Sequence, residues 1–162
     1  ITRYLRNAYL WDQVRVQGGA YGAFCIFDRL SGVLTFVSYR DPNLIQTIET
    51  FGRSGRFLEN MTLSEEELTK GIIGAIGDLD GHMLPDAKGF SSMVRYLIGD
   101  TEENRQQMRD EILSTRAADF KEMTQVLEEV KKKGIVKVLG SPTAIEAVEK
   151  ERPGWLKLVK VL

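Results

Sequence analysis

Leu5-Arg6-Asn7-Ala8-Tyr9-Leu10-Trp11-Asp12-Gln13-Val14-Arg15-Val16-Gln17-Gly18-Gly19-Ala20-Tyr21-Gly22-Ala23-Phe24-Cys25-Ile26-Phe27 is the stretch where the chain passes from helical to strand patterning. Leu5, Tyr9, Leu10 and Val14 recur at helical spacing, so residues 3–15 read as a helix. Gly18-Gly19 stops it. Beyond the glycines, residues 20–27 and 33–39 are aromatic and β-branched, and Asp28-Arg29-Leu30-Ser31-Gly32 between them suits a hairpin turn. A helix that runs through glycines into a hairpin sets the fold class. It is α+β, a two-layer sandwich of helices on a mainly antiparallel sheet.

The pattern downstream is mostly helical. Asp41-Pro42-Asn43 opens a helix whose buried stripe draws on Leu44, Ile45, Ile48, Phe51 and Leu58. Thr62 or Ser64 caps the next helix, with Glu65 or Glu67 completing a capping box, and Leu68, Ile72, Ile73 and Ile76 lead toward Leu79. Gly71, Gly74 and Gly77 lie three apart in that helix and imply close packing against another element. Residues 81–89 read as a loop and 90–98 as a short helix. Thr101 caps another helix, with Glu102 and Glu103 in its first turn. Residues 116–132 are helical and end at Lys131-Lys132-Lys133-Gly134. Ile135–Leu139 reads as a strand, Ser141-Pro142 caps a helix to about Lys150, and Leu156–Leu162 reads as a last strand. Strands are few for so many helices, and no strand precedes the first helix. The sheet is therefore expected to lack strands on its amino-terminal side.

The chain has 162 residues, 43% hydrophobic and 28% charged, with a net charge of −1. This is one domain, residues 1–162, of ordinary globular composition. The charge balance argues against a nucleic-acid partner or an anionic membrane surface. No apolar run approaches the roughly 20 residues of a transmembrane helix. One cysteine excludes an internal disulfide and suits a reducing compartment.

Arg15 and Tyr21 place a guanidinium and a phenol around the glycine turn. Both are good donors to a carbonyl or a developing oxyanion. The same two residues also fit a surface ion pair and a tyrosine packed at a strand start. A phosphate loop fits poorly, because the order here is helix, glycines, strand, the reverse of the nucleotide-binding order. His82, near Asp78, Asp80 and Asp86, matches no calcium loop. Cys25 alternates with Phe24 and Ile26 and reads as a packed small side chain. With one His and no metal cluster, Arg15 and Tyr21 amount to part of a site completed elsewhere.

The run from Tyr9 to Gly22 resembles the last domain of presequence-protease-like peptidases, a branch of the pitrilysin/insulinase superfamily of zinc metallopeptidases. Ser38-Tyr39-Arg40-Asp41-Pro42-Asn43, the segment Gly77–Gly89, and Arg109–Leu113 with Asp119-Phe120 are similar to later parts of the same domain, in order. The resemblance implies a pitrilysin-type metallohydrolase domain and a clamshell of two similar halves. It implies zinc held by an inverted His-x-x-Glu-His motif in the amino-terminal half, a motif this chain lacks. Arg15 and Tyr21 would then grip the substrate backbone and the oxyanion, with Gly18 and Gly19 letting the peptide close on the turn. Implied partners are that amino-terminal half and a short unstructured peptide. The missing strands imply self-association as well. The expected compartment is bacterial cytoplasm or an organelle matrix. Competing functions are a non-catalytic structural homologue, as in respiratory-complex core subunits, and a module that docks a peptide strand on the hairpin edge.

Overall fold

The computed structural model describes residues 1–159. A short turn, α1 (Thr2–Tyr4), leads into a wide helix, Leu5–Val16. Its turns close with bonds to the fifth residue back, as where the Gln17 N–H donates to the Asp12 carbonyl at 2.9 Å. This explains the spacing of its apolar residues. At about 100° per residue Leu5 and Leu10 would stand roughly 140° apart on an α-helix. Wider turns bring Leu5, Leu10 and Val14 onto one buried face.

That face packs on the hairpin β1 (Gly22–Asp28) and β2 (Val33–Tyr39), which pair antiparallel with Gly22 opposite Tyr39 and Asp28 opposite Val33. Alternation along β1 sends Ala23 and Cys25 inward against the wide helix and leaves Phe24 and Ile26 outside. α2 (Leu44–Gly52) and α3 (Ser54–Asn60) follow, broken at Arg53 where one helix was expected. α4 (Glu65–Leu79) starts with a capping box between Ser64 and Glu67. α5 (Pro85–Ile98) takes up half of the expected loop, because Pro85 is preset for the first helical position. α6 (Glu102–Leu113), α7 (Ala117–Lys133) and α8 (Pro142–Glu151) complete the described elements.

The core gathers Leu5, Leu10, Val14, Ala20, Ala23, Cys25, Leu58, Phe120 and Leu127. Tyr9 stacks on Phe57 at 4.6 Å and its hydroxyl donates to the Thr50 carbonyl at 3.0 Å, tying the wide helix to α2 and α3. α7 lies along α3, where Gly55 sits 3.5 Å, at its would-be Cβ, from Leu127.

The architecture is α+β, but the described sheet is only this hairpin. Two sequence expectations fail. Ile135–Leu139 is not a strand: Ile135 is 86% and Leu139 91% exposed, with no strand edge beside them to supply ladder bonds. Leu156–Val159 is also irregular, and the rest of that expected strand, 160–162, lies outside the described residues. The glycine row of α4 is only partly explained. A Cβ on Gly74 would come within 2.7 Å of Arg3 Nε, whose side chain pairs with Asp78, whereas Gly71 and Gly77 meet nothing within 4 Å.

Candidate functional site

The wide helix ends in a turn that only glycines fit. A Cβ on Gly18 would stand 2.5 Å from the Val14 carbonyl oxygen, and Gly19 has φ of +76°. The Gly19 N–H donates to Arg15 O at 3.0 Å and the Ala20 N–H to Val14 O at 3.1 Å, so the helix's last carbonyls are satisfied as the chain reverses. Asn43 closes the turn from the other side by donating its side-chain amide to Gly18 O. Asp41 in turn accepts the Asn43 N–H at 2.9 Å. The corner Asp41-Pro42-Asn43 is thereby fixed to the glycines.

Arg15 and Tyr21 are brought together at this turn, although not through their polar tips. Arg15 Nε donates to the backbone carbonyl of Tyr21 at 3.1 Å, and its guanidinium lies 3.8 Å above the Trp11 ring. The Tyr21 N–H bonds back to Tyr39 O (3.1 Å) and Arg40 O (3.4 Å) at the mouth of the hairpin. Its ring meets Tyr39 edge-on at 5.9 Å and remains 67% exposed. Among the described residues Arg15 forms no ion pair, and Tyr21 is not packed away. Tyr21 thus presents a phenol to solvent from a backbone held at three points. Its neighbour Arg15 is half-buried and held on two sides.

Three residues of this cluster lie in segments that carry the resemblance but were given no role at the site. Trp11 sits four residues before Arg15 and could have been found from that spacing. Tyr39 follows from the hairpin register, opposite Gly22. Arg40, whose Cζ lies 5.8 Å from the Tyr21 ring centre, was legible only as part of the Ser38–Asn43 corner, because its approach to Tyr21 is set by the backbone conformation there.

Other candidates recede. Cys25 is buried, and burial pushes its thiol up to about 11, away from the thiolate form a nucleophile needs. His82 is exposed. Among the described residues no three His, Cys, Asp or Glu side chains stand close enough together to hold a metal, so the implied zinc does not fit this chain's own residues. No helix among them is long and apolar enough to cross a membrane.

Residues 1–141 match the family model of the PreP C-terminal domain. The chain belongs to that family. It is 47% identical over its whole length to presequence protease 1, chloroplastic/mitochondrial, of Arabidopsis thaliana, of which it spans 15%. It is 36% identical over 85% of its length to protein HypA of Clostridium perfringens, spanning 14% of that protein. A mitochondrial presequence protease of Aspergillus fumigatus is 34% identical over 77% of the chain, which covers 12% of it. The chain therefore corresponds to a small part of each of these relatives.

Proposed function

We propose that this chain is the carboxy-terminal, substrate-gripping part of a longer metalloendopeptidase that degrades short unstructured peptides. Its fold would be a pitrilysin-type two-layer domain, one unit over residues 1–162. The single observation that carries the reading is Tyr21. Its phenol is exposed on a backbone anchored to Arg15, Tyr39 and Arg40. A donor presented on a rigid base is what oxyanion stabilisation requires, since no reorganisation is needed during reaction. In this reading Tyr21 donates to the scissile carbonyl as charge develops on its oxygen. Arg15 steadies the Tyr21 carbonyl through Nε and offers its remaining N–H groups to a neighbouring peptide carbonyl. Gly18 and Gly19 keep the turn free of side chains where the peptide passes.

Zinc belongs, in this reading, to the amino-terminal part of the longer protein. The outer face of the hairpin, with Phe24, Ile26 and Val37 exposed, is the surface on which that part would pack. Two of the relatives are named as chloroplastic/mitochondrial and mitochondrial and a third is bacterial, which is consistent with our assignment of this protein to an organelle matrix or a bacterial cytoplasm.

The test is cleavage of a quenched unstructured peptide by the natural full-length protein. Arg15→Ala and Tyr21→Phe are each expected to lower kcat/KM at least tenfold, by analogy with removal of an oxyanion donor, which costs roughly a hundredfold or more. Rates unchanged in both variants would show that the two side chains are structural.

A further inference from the structure

We propose that Arg40 is a specificity-determining residue of the same site, one that binds a carboxylate on the bound peptide. The inference rests on the peptide-gripping reading above but on different observations. Arg40 has φ of +48°, the one non-glycine residue with positive φ among the described residues. Side chains with a Cβ adopt that conformation at a cost which glycine avoids and asparagine reduces. A corner that needed only the bend would be met more cheaply by either.

The strain fixes Arg40 to Tyr21. It aims the Arg40 carbonyl at the Tyr21 N–H, 3.4 Å away, and sets the guanidinium carbon 5.8 Å from the Tyr21 ring centre and 5.3 Å from that of Tyr39. The guanidinium is otherwise uncommitted: among the described residues its side chain forms no ion pair and no hydrogen bond. Its acidic neighbour Asp41 forms no ion pair with it: one Asp41 oxygen accepts the Asn43 N–H and the other is buried without a partner. Arg15 differs, since its Nε is already spent on a neutral carbonyl. Arg40 therefore offers a full positive charge and a free planar fork beside an exposed phenol, the geometry that matches a carboxylate bidentately. That carboxylate can come from an Asp or Glu side chain or from a free peptide carboxy terminus.

Fluorescence anisotropy on the natural full-length protein tests this, with a chelator present so that no peptide is consumed. One labelled unstructured peptide is prepared in three forms: amidated with Gln at a central position, amidated with Glu there, and carboxy-terminally free with Gln. Arg40→Asn, which tolerates the backbone, is expected to weaken binding roughly three- to tenfold for one carboxylate-bearing form and to leave the Gln amide unchanged. Arg40→Lys should recover part of the loss. Whichever carboxylate form weakens identifies the source. Equal loss for all three peptides, or none, overturns the inference. If Arg40→Asn is indifferent while Arg15→Ala weakens every form, Arg40 fails and the gripping site stands. If Arg40→Asn is selective while Arg15→Ala binds normally, Arg40 stands and the gripping role of Arg15 fails; Tyr21, whose donation is made in the transition state, is judged by the kcat/KM of Tyr21→Phe instead. Absence of binding to any form overturns both.

Discussion

The glycine corner and α5 both carry large apolar side chains, yet the fold treats them in opposite ways. Around the corner, Leu5, Leu10, Val14, Ala23 and Cys25 are buried, and the N–H groups of Gln17, Gly19, Ala20 and Tyr21 all have backbone partners. Along α5, Phe90 is 64%, Leu97 71% and Tyr96 84% exposed. α5 is as well formed as the wide helix, with Pro85 at its start and Gly99 in a left-handed C-cap. Local signals make a helix, then, but only a facing surface of matching shape makes it part of a core. A candidate site needs the second condition, because a side chain is held only as firmly as the backbone under it.

The largest predicted contrast is in core truncation. Leu58, fully buried, should cost about 2–5 kcal/mol as Leu58→Ala. Leu97→Ala should stay within about 0.5 kcal/mol. Urea midpoints of the two variants decide it, and an equal loss at Leu97 would mean that α5 is covered in solution.

Glycines sharpen the comparison by sign. Gly18→Ala pushes a methyl into the Val14 carbonyl and should destabilise by roughly 1–3 kcal/mol. Gly89→Ala, in the open interior of α5, should stabilise by roughly 0.5–1 kcal/mol. Thermal melts showing the same sign for both would break the distinction.

Ser64→Ala removes the cap of α4 and should cost about 1 kcal/mol. Hydrogen bonds from the Ser64 backbone N–H and hydroxyl hold the Glu67 carboxyl below its ordinary range. A depressed pKa contributes stability above the unfolded value that is lost as pH falls through the folded one. An acid titration should accordingly show less stability lost on acidification in the variant than in the parent.

The smallest effect at neutral pH concerns Cys25. Its thiol is raised from 9.0 to about 11, chiefly by burial. A raised pKa gives stability that is whole below 9.0 and declines as pH climbs toward 11, where the unfolded chain ionises first. Denaturant midpoints should be flat to about pH 8 and then fall, with the slope reduced in Cys25→Ala. An unchanged alkaline slope would place its origin elsewhere.

Much of this was legible beforehand. The hairpin and its turn, the Ser64 and Thr101 caps and the α7 stop come from turn chemistry and capping, which act over a few residues. The pairing of Arg15 with Tyr21 was legible as proximity in sequence, but their meeting through the Tyr21 carbonyl was not. The strand expected at Ile135–Leu139 failed because β-branched residues state a preference that only a neighbouring edge can satisfy. The expected loop at 81–89 holds over 81–84 and is cut short at Pro85, which begins a helix as readily as it ends one.

By itself the sequence determined the class of protein, the order of helix, glycine turn and hairpin, and which two donors flank the turn. Those follow from local backbone preference and side-chain periodicity. Only the tertiary structure decided that the first helix is wide, that Asn43 locks Gly18, and that Arg40 is strained over Tyr21. Each of these depends on contacts between segments distant in sequence. Their energies are settled by packing, which no single window of residues contains.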